Sequence, residues 1–335
     1  MTDASIESST ESDRASWMAR NKLTIAPWIF LVPALIFFAI YVIIPIFKSL
    51  GLSLYEWNGL YTADGQSTAV WVGFENYKKL WGDPNFWTSL KNNILWLLLY
   101  MLAVPAGLGI ALFLNQTVPG MRFYKSLFFF PFVISQVVVG LIFGWFYNPD
   151  FGVIGSIWKA IYCEETVNIL GNATFKCSAP APDILSSPEW ATYGIIFAGL
   201  WPQIAYCMIL YLTGLNNVAA DQIEAARLDG AKGWKMLWYV VIPQLRPATF
   251  IAVVVTVIGA LRSFDMIAIM TQGGPFGSTN VLSHYMYEVA ISEYGERYGY
   301  GSAIATVLFL IMLIFISYFL WDTVSYTHLT LPTKA

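Results

Sequence analysis

Charge is scarce in this chain. Only 12% of its 335 residues are charged, against about 25% in an average soluble domain. That shortage excludes an ordinary water-soluble globule, because 57% of the residues are hydrophobic and one core cannot hide so much apolar surface. Histidine is rarer still, with only His284 in an outer loop and His328 in the tail. No metal-ligand cluster and no nucleophile motif appears, so a membrane-embedded enzyme lacks its catalytic constellation. No G-x-x-x-x-G-K-[ST] stretch occurs, so the chain cannot cradle ATP phosphates by itself. There is no basic stripe or nucleic-acid motif, and the net charge is −3. A nucleic-acid partner is therefore not expected, and no cofactor is implied.

Long apolar runs are what the chain has in abundance. Six could cross a bilayer, which takes roughly 20 residues each. They are Ala26–Ile46, Asn93–Leu114, Leu127–Tyr147, Thr192–Leu215, Ala248–Met270 and Ser302–Trp321. The reading is an all-α polytopic membrane protein with six transmembrane helices. Pro105, Pro131 and Pro202 lie inside spans and mark kinks, which a bundle tolerates because neighbouring helices satisfy the freed carbonyls.

The runs also set the organisation. Residues 1–24 read as a disordered tail rich in Ser and Thr. The first span is too long for a signal-peptide core, and no small-residue cleavage site follows it. Residues 25–322 form the six-span domain, with a core over 90–322 and a polar loop over 216–247. Residues 323–335 include "VSYTHLTLPTKA", have no apolar period, and read as a non-native tail.

Six spans place both ends on one side. That side carries Arg122, Lys125, Arg227, Lys232, Lys235 and Arg246 in its short loops, besides the basic residues of the tail. By the positive-inside rule the N-terminus faces the cytoplasm. The loop from Asn148 to Glu189 lies on the opposite side and holds Cys163 and Cys177. These either close a short hairpin as a disulfide, which stabilises by about 3 kcal/mol in the chain-entropy model, or stay as free thiols; the bridge is the preferred reading. Cys207 lies inside a span. Asn172-Ala-Thr matches a glycosylation sequon, a triplet that chance produces often.

The polar loop between the fourth and fifth spans reads "IEAARLDGAKGWKMLWYVVIPQLRP", from Ile223 to Pro247. Glu224, Ala225 and Ala226 read as the end of one helix. Asp229 and Gly230 offer a turn, Ala231 to Val240 a second helix, and Pro243 and Pro247 punctuate the entry into the fifth span. The small alanines allow close approach by a partner, and Glu224 can pair with an arginine across an interface. A plain solvated loop explains the charge but not the Ala-Ala pair, the turn or the paired prolines.

These residues carry a specific resemblance. "EAARLDGA", followed by "IP" and "LRP", resembles the EAA loop of permease subunits in binding-protein-dependent ABC importers. Three more stretches resemble the carbohydrate branch of that family, the maltose and α-glucoside type. They are "GFENYKKLWGDPNFWTSLKNN" (Gly73 to Asn93), "FFFPFVISQVVVGLIFGWFYNPDFGVI", and "FDMIAIMTQGGP" (Phe264 to Pro275). The resemblance runs from about Ala26 to Asp322 and implies the type I ABC importer permease fold. It further implies a second homologous permease subunit, two ATPase subunits on the cytoplasmic face, and an extracellular or periplasmic sugar-binding protein. The setting implied is a bacterial inner membrane. Glu224, Ala225, Ala226, Asp229 and Gly230 would then be the coupling element that fits a groove on the ATPase, with Gly230 serving a tight turn or close packing.

A sugar needs hydrogen-bonding groups and aromatic faces in a mostly apolar cavity. Polar groups inside spans are expensive and are functional candidates by default. The candidates are Ser135 and Gln136, Gln203 and Tyr206 on one face of the fourth span, and Arg262, Ser263 and Asp265 in the fifth. The resemblance adds Phe132, and it places Phe132, Gln136, Gln203, Tyr206 and Ser263 at or beside positions that line the sugar site of maltose-type permeases. Bland readings stand beside these. Arg262 and Asp265, three apart, can pair with each other, and Gln136 can serve as an interhelical hydrogen bond. A proton-coupled secondary transporter would also use six spans and an Arg–Asp pair, but it leaves the cytoplasmic hairpin unexplained.

Overall fold

The computed structural model describes residues 27–62, 64–116, 119–167, 173–292 and 296–330. The expected tail over 1–24, the Asn172 sequon and the final residues from 331 lie outside them. Four helices are long and apolar enough to cross a membrane, and two bent helix pairs raise the number to six. The apolar runs therefore account for the spans, with corrections at their ends and breaks.

The first span, α1 (Pro27–Leu52), keeps its large apolar side chains exposed, Phe30 and Phe37 among them. Lipid rather than protein is the solvent for such a surface. A small antiparallel hairpin of β1 (Tyr55–Glu56) and β2 (Val70–Trp71) follows, then α2 (Glu75–Trp81). The second span, α3 (Pro84–Leu114), begins nine residues before the expected Asn93. Asp83 caps it by accepting from the Asn85 amide at 2.9 Å, and Pro84 occupies the first helical position, so a polar sequence starts a helix ahead of the apolar run. Pro105 lies just past a local turn at Met101 and Leu102.

The third span is two helices, α4 (Met121–Val133) and α5 (Gln136–Phe146), bent by 98°. Pro131 lacks the N–H that would continue the ladder. Ile134 is extended, and Ser135 caps the new helix by accepting from the Val138 amide. The expected single run Leu127–Tyr147 is thus broken at its centre. Beyond it the following loop forms α6 (Val153–Tyr162) and a second hairpin, β3 (Cys163–Val167) against β4 (Ala173–Cys177).

The fourth span, α7 (Ala191–Asn216), is continuous through Pro202, which produces no break. Its 26 residues rise about 39 Å, enough to separate the β3–β4 hairpin at one end from the polar cassette at the other. The cassette forms α8 (Ala220–Leu228) and α9 (Trp234–Gln244), and α9 meets α10 (Arg246–Leu261) at 69°. The expected fifth span through Met270 ends early, at Leu261. Arg262 to Phe264 are not helical, and a short α11 (Asp265–Met270) follows. The freed carbonyls find side chains: Asn93 Nδ2 donates to Leu261 O at 3.5 Å, and Ser283 Oγ to Ser263 O at 2.8 Å. After α12 (Leu282–Tyr287), the last helix α13 (Tyr298–Thr330) extends past the expected end at Trp321.

Among the described residues the fold is thus helical apart from two small hairpins. Around α7 pack Trp96 and Tyr100 of α3, Val139 of α5, and Met266 and Ile267 of α11. Small residues let the helices touch. A β-carbon at Gly107 would stand 2.6 Å from Cys207 Cβ, and one at Gly140 3.1 Å from Ile269 Cγ2. In lipid, such close packing replaces the hydrophobic effect as the force between helices.

Candidate functional site

The two mid-membrane breaks lie against one cavity of about 500 Å³. Its walls include Ile134 and Ser135 from the break in the third span, and Arg262, Ser263 and Phe264 from the break in the fifth. Irregular backbone at membrane depth is tolerated where it lines a cavity. All eight candidates line this one space: Phe132, Ser135, Gln136, Gln203, Tyr206, Arg262, Ser263 and Asp265. Tyr100 lines it too; it was not singled out in the sequence because a tyrosine in an apolar run resembles packing.

The side chains are arranged as a mixed aromatic and polar surface. The rings of Phe132 and Tyr206 stack with centroids 5.2 Å apart and planes within 4°. Gln136 Oε1 is buried without a hydrogen-bond partner, so the interhelical bond considered for it is not made by that oxygen. Gln203 is buried and donates from Nε2 to Thr256 Oγ1 at 2.9 Å. Ser263 Oγ donates to Gly259 O at 3.1 Å. Arg262 and Asp265 are exposed, and no ion pair joins the two. The helix break explains this, since the i, i+3 register of a continuous helix is lost between them.

The breaks are held from the end of the bundle where α3 and α7 begin. Asn92 Nδ2 donates to Ser278 O at 2.7 Å and Asn280 O at 2.8 Å, and Asn93 Oδ1 accepts from Leu282 N at 2.8 Å. These two asparagines end the "SLKNN" stretch, and these backbone partners belong to the segment after "TQGGP". The sequence signal was a pair of amides entering an apolar run. His284 sits on α12 and is buried rather than displayed in a loop. Its Nδ1 lies 2.7 Å from Asn280 Oδ1, and Asn280 Nδ2 donates to Glu288 Oε2 at 2.8 Å. Burial pushes the His284 pKa down, and the Glu288 charge pulls partly against it. At the same end of the bundle, Cys163 and Cys177 face each other across the β3–β4 register and are joined by a disulfide.

The cassette is at the other end. Glu224, Ala225 and Ala226 lie in the middle of α8, not at its end as the sequence suggested. The helix runs two residues further, to Leu228, because the stop signal is the glycine rather than the alanines. Gly230 has φ +83°. The Gly230 amide donates to Arg227 O at 3.1 Å and the Ala231 amide to Ala226 O at 2.9 Å. This pair of bonds is a Schellman C-cap, which needs a left-handed residue at the position Gly230 fills. The second helix starts at Trp234 rather than Ala231, after another left-handed glycine, Gly233 at φ +52°. Gln244 braces the hairpin, accepting from the Ala219 amide and donating to Val240 O, both at 3.1 Å. Glu224, Ala225, Asp229 and Gly230 are exposed, as are Leu228, Trp234 and Trp238. The result is a rigid, solvent-facing ledge.

Residues 84–325 match the family described as binding-protein-dependent transport system inner membrane component. The probable ABC transporter permease protein YurN of Bacillus subtilis is 33% identical over 296 residues, covering 88% of this chain and 94% of that protein. The multiple sugar-binding transport system permease protein MsmF of Streptococcus mutans is 32% identical over 287 residues, covering 85% and 90%. The α-glucoside transport system permease protein AglF of Rhizobium meliloti is 29% identical over 313 residues, covering 92% and 84%. Among solved structures, a bacterial ABC transporter involved in the import of the acidic polysaccharide alginate has a similar fold. The TM-score is 0.72 at 21% identity, over 95% of this chain and 99% of that one. A second structure, of a bacterial alginate ABC transporter in complex with an alginate pentasaccharide-bound periplasmic protein, also scores 0.72, at 20% identity over 91% and 94%.

Proposed function

The chain belongs to the binding-protein-dependent transport system inner membrane component family, and from that membership we propose that it forms half of the translocation pathway of an ATP-driven sugar importer. It is a multi-pass permease subunit and not an enzyme; ATP hydrolysis falls to two partner ATPase subunits. A second homologous permease completes the pathway, and a sugar-binding protein delivers a small sugar from the outside. The N-terminus and the cassette face the cytoplasm of a bacterial cell, with lipid around the spans.

One observation carries this reading. Eight side chains picked out by their polarity or their place in the motifs converge on one cavity, at the breaks of two spans. Aromatic faces such as the Phe132–Tyr206 stack, set beside unpaired amide oxygens, suit a neutral hydroxylated ligand. In this reading, ATP-driven closure of the ATPases draws the two permeases' hairpins together. The Schellman-capped ledge carrying Glu224, Ala225 and Ala226 transmits that motion, and the spans rock between inward- and outward-facing states. Carrying a polar, glycine-punctuated cassette on so apolar a chain makes physical sense if it seats in a soluble motor subunit.

The test is sugar-stimulated ATPase activity of the reconstituted complex, with the neighbouring permease, ATPase and binding protein co-expressed. Stimulation should be lost in Glu224→Lys. Unchanged stimulation removes Glu224 from the coupling, and failure of any ATPase to co-purify with the wild type returns the secondary-transporter reading.

A further inference from the structure

Gln203 stands at the middle of α7, buried, with its amide directed at α10. An amide has two ends of opposite polarity, so the end that faces the cavity decides whether a ligand must donate or accept. The choice is made one layer below. Thr256 Oγ1 lies 2.7 Å from Ala252 O, a carbonyl with no proton to give, so the hydroxyl donates there and is left as an acceptor. The end of Gln203 that stands 2.9 Å from Oγ1 is therefore the amino end, Nε2. The Cys207 thiol, 3.5 Å from the same oxygen, can fill its remaining lone pair. Reversing the amide would bring two acceptors, Oε1 and Oγ1, face to face.

Gln203 Oε1 is consequently turned toward Gly259, another residue of the cavity wall. A β-carbon there would stand 3.8 Å from Oε1, and without one the approach is open. Gln136 supplies a second amide oxygen with no protein partner. The cavity thus presents an acceptor at Gln203 where a reversed amide would present a donor.

We infer that Thr256 is a positioning residue: it fixes the orientation of the Gln203 amide and so makes the cavity select a neutral ligand that donates hydrogen bonds from its hydroxyls. This inference rests on the reading of the cavity as a sugar pathway.

The experiment uses the full complex in proteoliposomes. Uptake of maltose, trehalose, sucrose and lactose by the wild type picks the probe sugar, and singly deoxyfluorinated analogues of that sugar are then compared with it. Fluorine accepts weakly but cannot donate. At the hydroxyl that meets Gln203, the analogue should be taken up about tenfold less efficiently, the cost of one hydrogen bond. Thr256→Val removes the hydroxyl, lets Gln203 present either end, and should shrink that gap to about threefold or less. Thr256→Ser should restore it. If Thr256→Val does not assemble, Thr256→Ala reads the same ratio. The binding protein is common to every arm, so a change in the ratio belongs to the permease. A ratio that Thr256→Val or Thr256→Ala leaves unmoved, with all sugars falling together, assigns Thr256 a purely structural role and overturns the inference. So does a wild type that discriminates against no analogue. A wild type that takes up none of the four sugars overturns the sugar-pathway reading itself, and this inference with it.

Discussion

Gly107 is a place where α3 meets α7 against its backbone, and it sets a measurable limit on how the two spans pack. A β-carbon there would lie 2.6 Å from Cys207 Cβ and 2.8 Å from the Met208 backbone nitrogen. Non-bonded carbons are at ease at about 3.5–4.0 Å, so Gly107→Ala creates an overlap of about 1 Å. Backbone cannot rotate out of the way as a side chain can, so the helices must separate. Overpacking of this kind costs about 1–3 kcal/mol. Alanine recovers about 1 kcal/mol of helix propensity over glycine, leaving a net loss of up to about 2 kcal/mol. Gly109 is the internal control. It lies two residues along the same helix, is exposed, and would have nothing within 4 Å of an added β-carbon. Gly109→Ala should therefore show only the propensity gain. Thermal unfolding of the purified protein, followed by tryptophan fluorescence, should place Gly107→Ala a few degrees below wild type and Gly109→Ala at or above it. Equal melting temperatures for the two variants would refute the reasoning, since they would mean that α3 and α7 do not meet at Gly107.

Two further outcomes follow from the end of the bundle that carries the β3–β4 hairpin. His284 has its pKa lowered by burial, so as pH falls below the ordinary histidine value of about 6.5 the unfolded chain takes up the proton first. Stability should be full above that pH and decline as pH drops toward the folded-state value; His284→Gln should flatten melting temperature against pH between 7.5 and 5.5, and an unchanged slope would assign it to another group. The disulfide closes a loop with a sequence separation of 14, worth about 3 kcal/mol in the chain-entropy model. Replacing Cys163 and Cys177 with serine should speed amide hydrogen exchange in β3 by about two orders of magnitude and leave α7 unaffected, whereas unaltered protection in β3 would show that the hairpin does not depend on the bond.

Much of the site was legible because polar atoms inside an apolar run stand out. Gln136, Gln203, Arg262, Ser263 and Asp265 were visible as breaks in long hydrophobic segments, since placing them in lipid is costly. Thr256 was not, because a threonine among valines fits a helix without comment and only its distance to Gln203 gives it a part. Asn92 and Asn93 were visible as residues but not as partners, since the backbone groups they hold lie nearly two hundred positions away. The Arg262–Asp265 pair, plausible at i, i+3, is absent because that spacing has meaning only on an unbroken helix. Helix ends behaved the same way. The Asp83-Pro84 start is local chemistry masked by the long apolar run that follows it, whereas the Asp229-Gly230 turn was legible and only the last helical residue before it lay two positions further on, at Leu228.

The sequence by itself determined that this chain lives in a membrane. Apolar composition and run length leave no aqueous alternative, and those are properties of residues rather than of contacts. It also determined the turn of the cassette, since a glycine at the left-handed position ends a helix wherever that helix lies. What only the tertiary structure decided is which polar groups meet. The breaks at Ser135 and Arg262 are far apart in the chain, and they line one cavity because α5 and α11 pack together against α7 through glycine and alanine. The direction in which Gln203 points was settled later still, by a hydroxyl on a neighbouring helix whose own proton was already committed to its backbone.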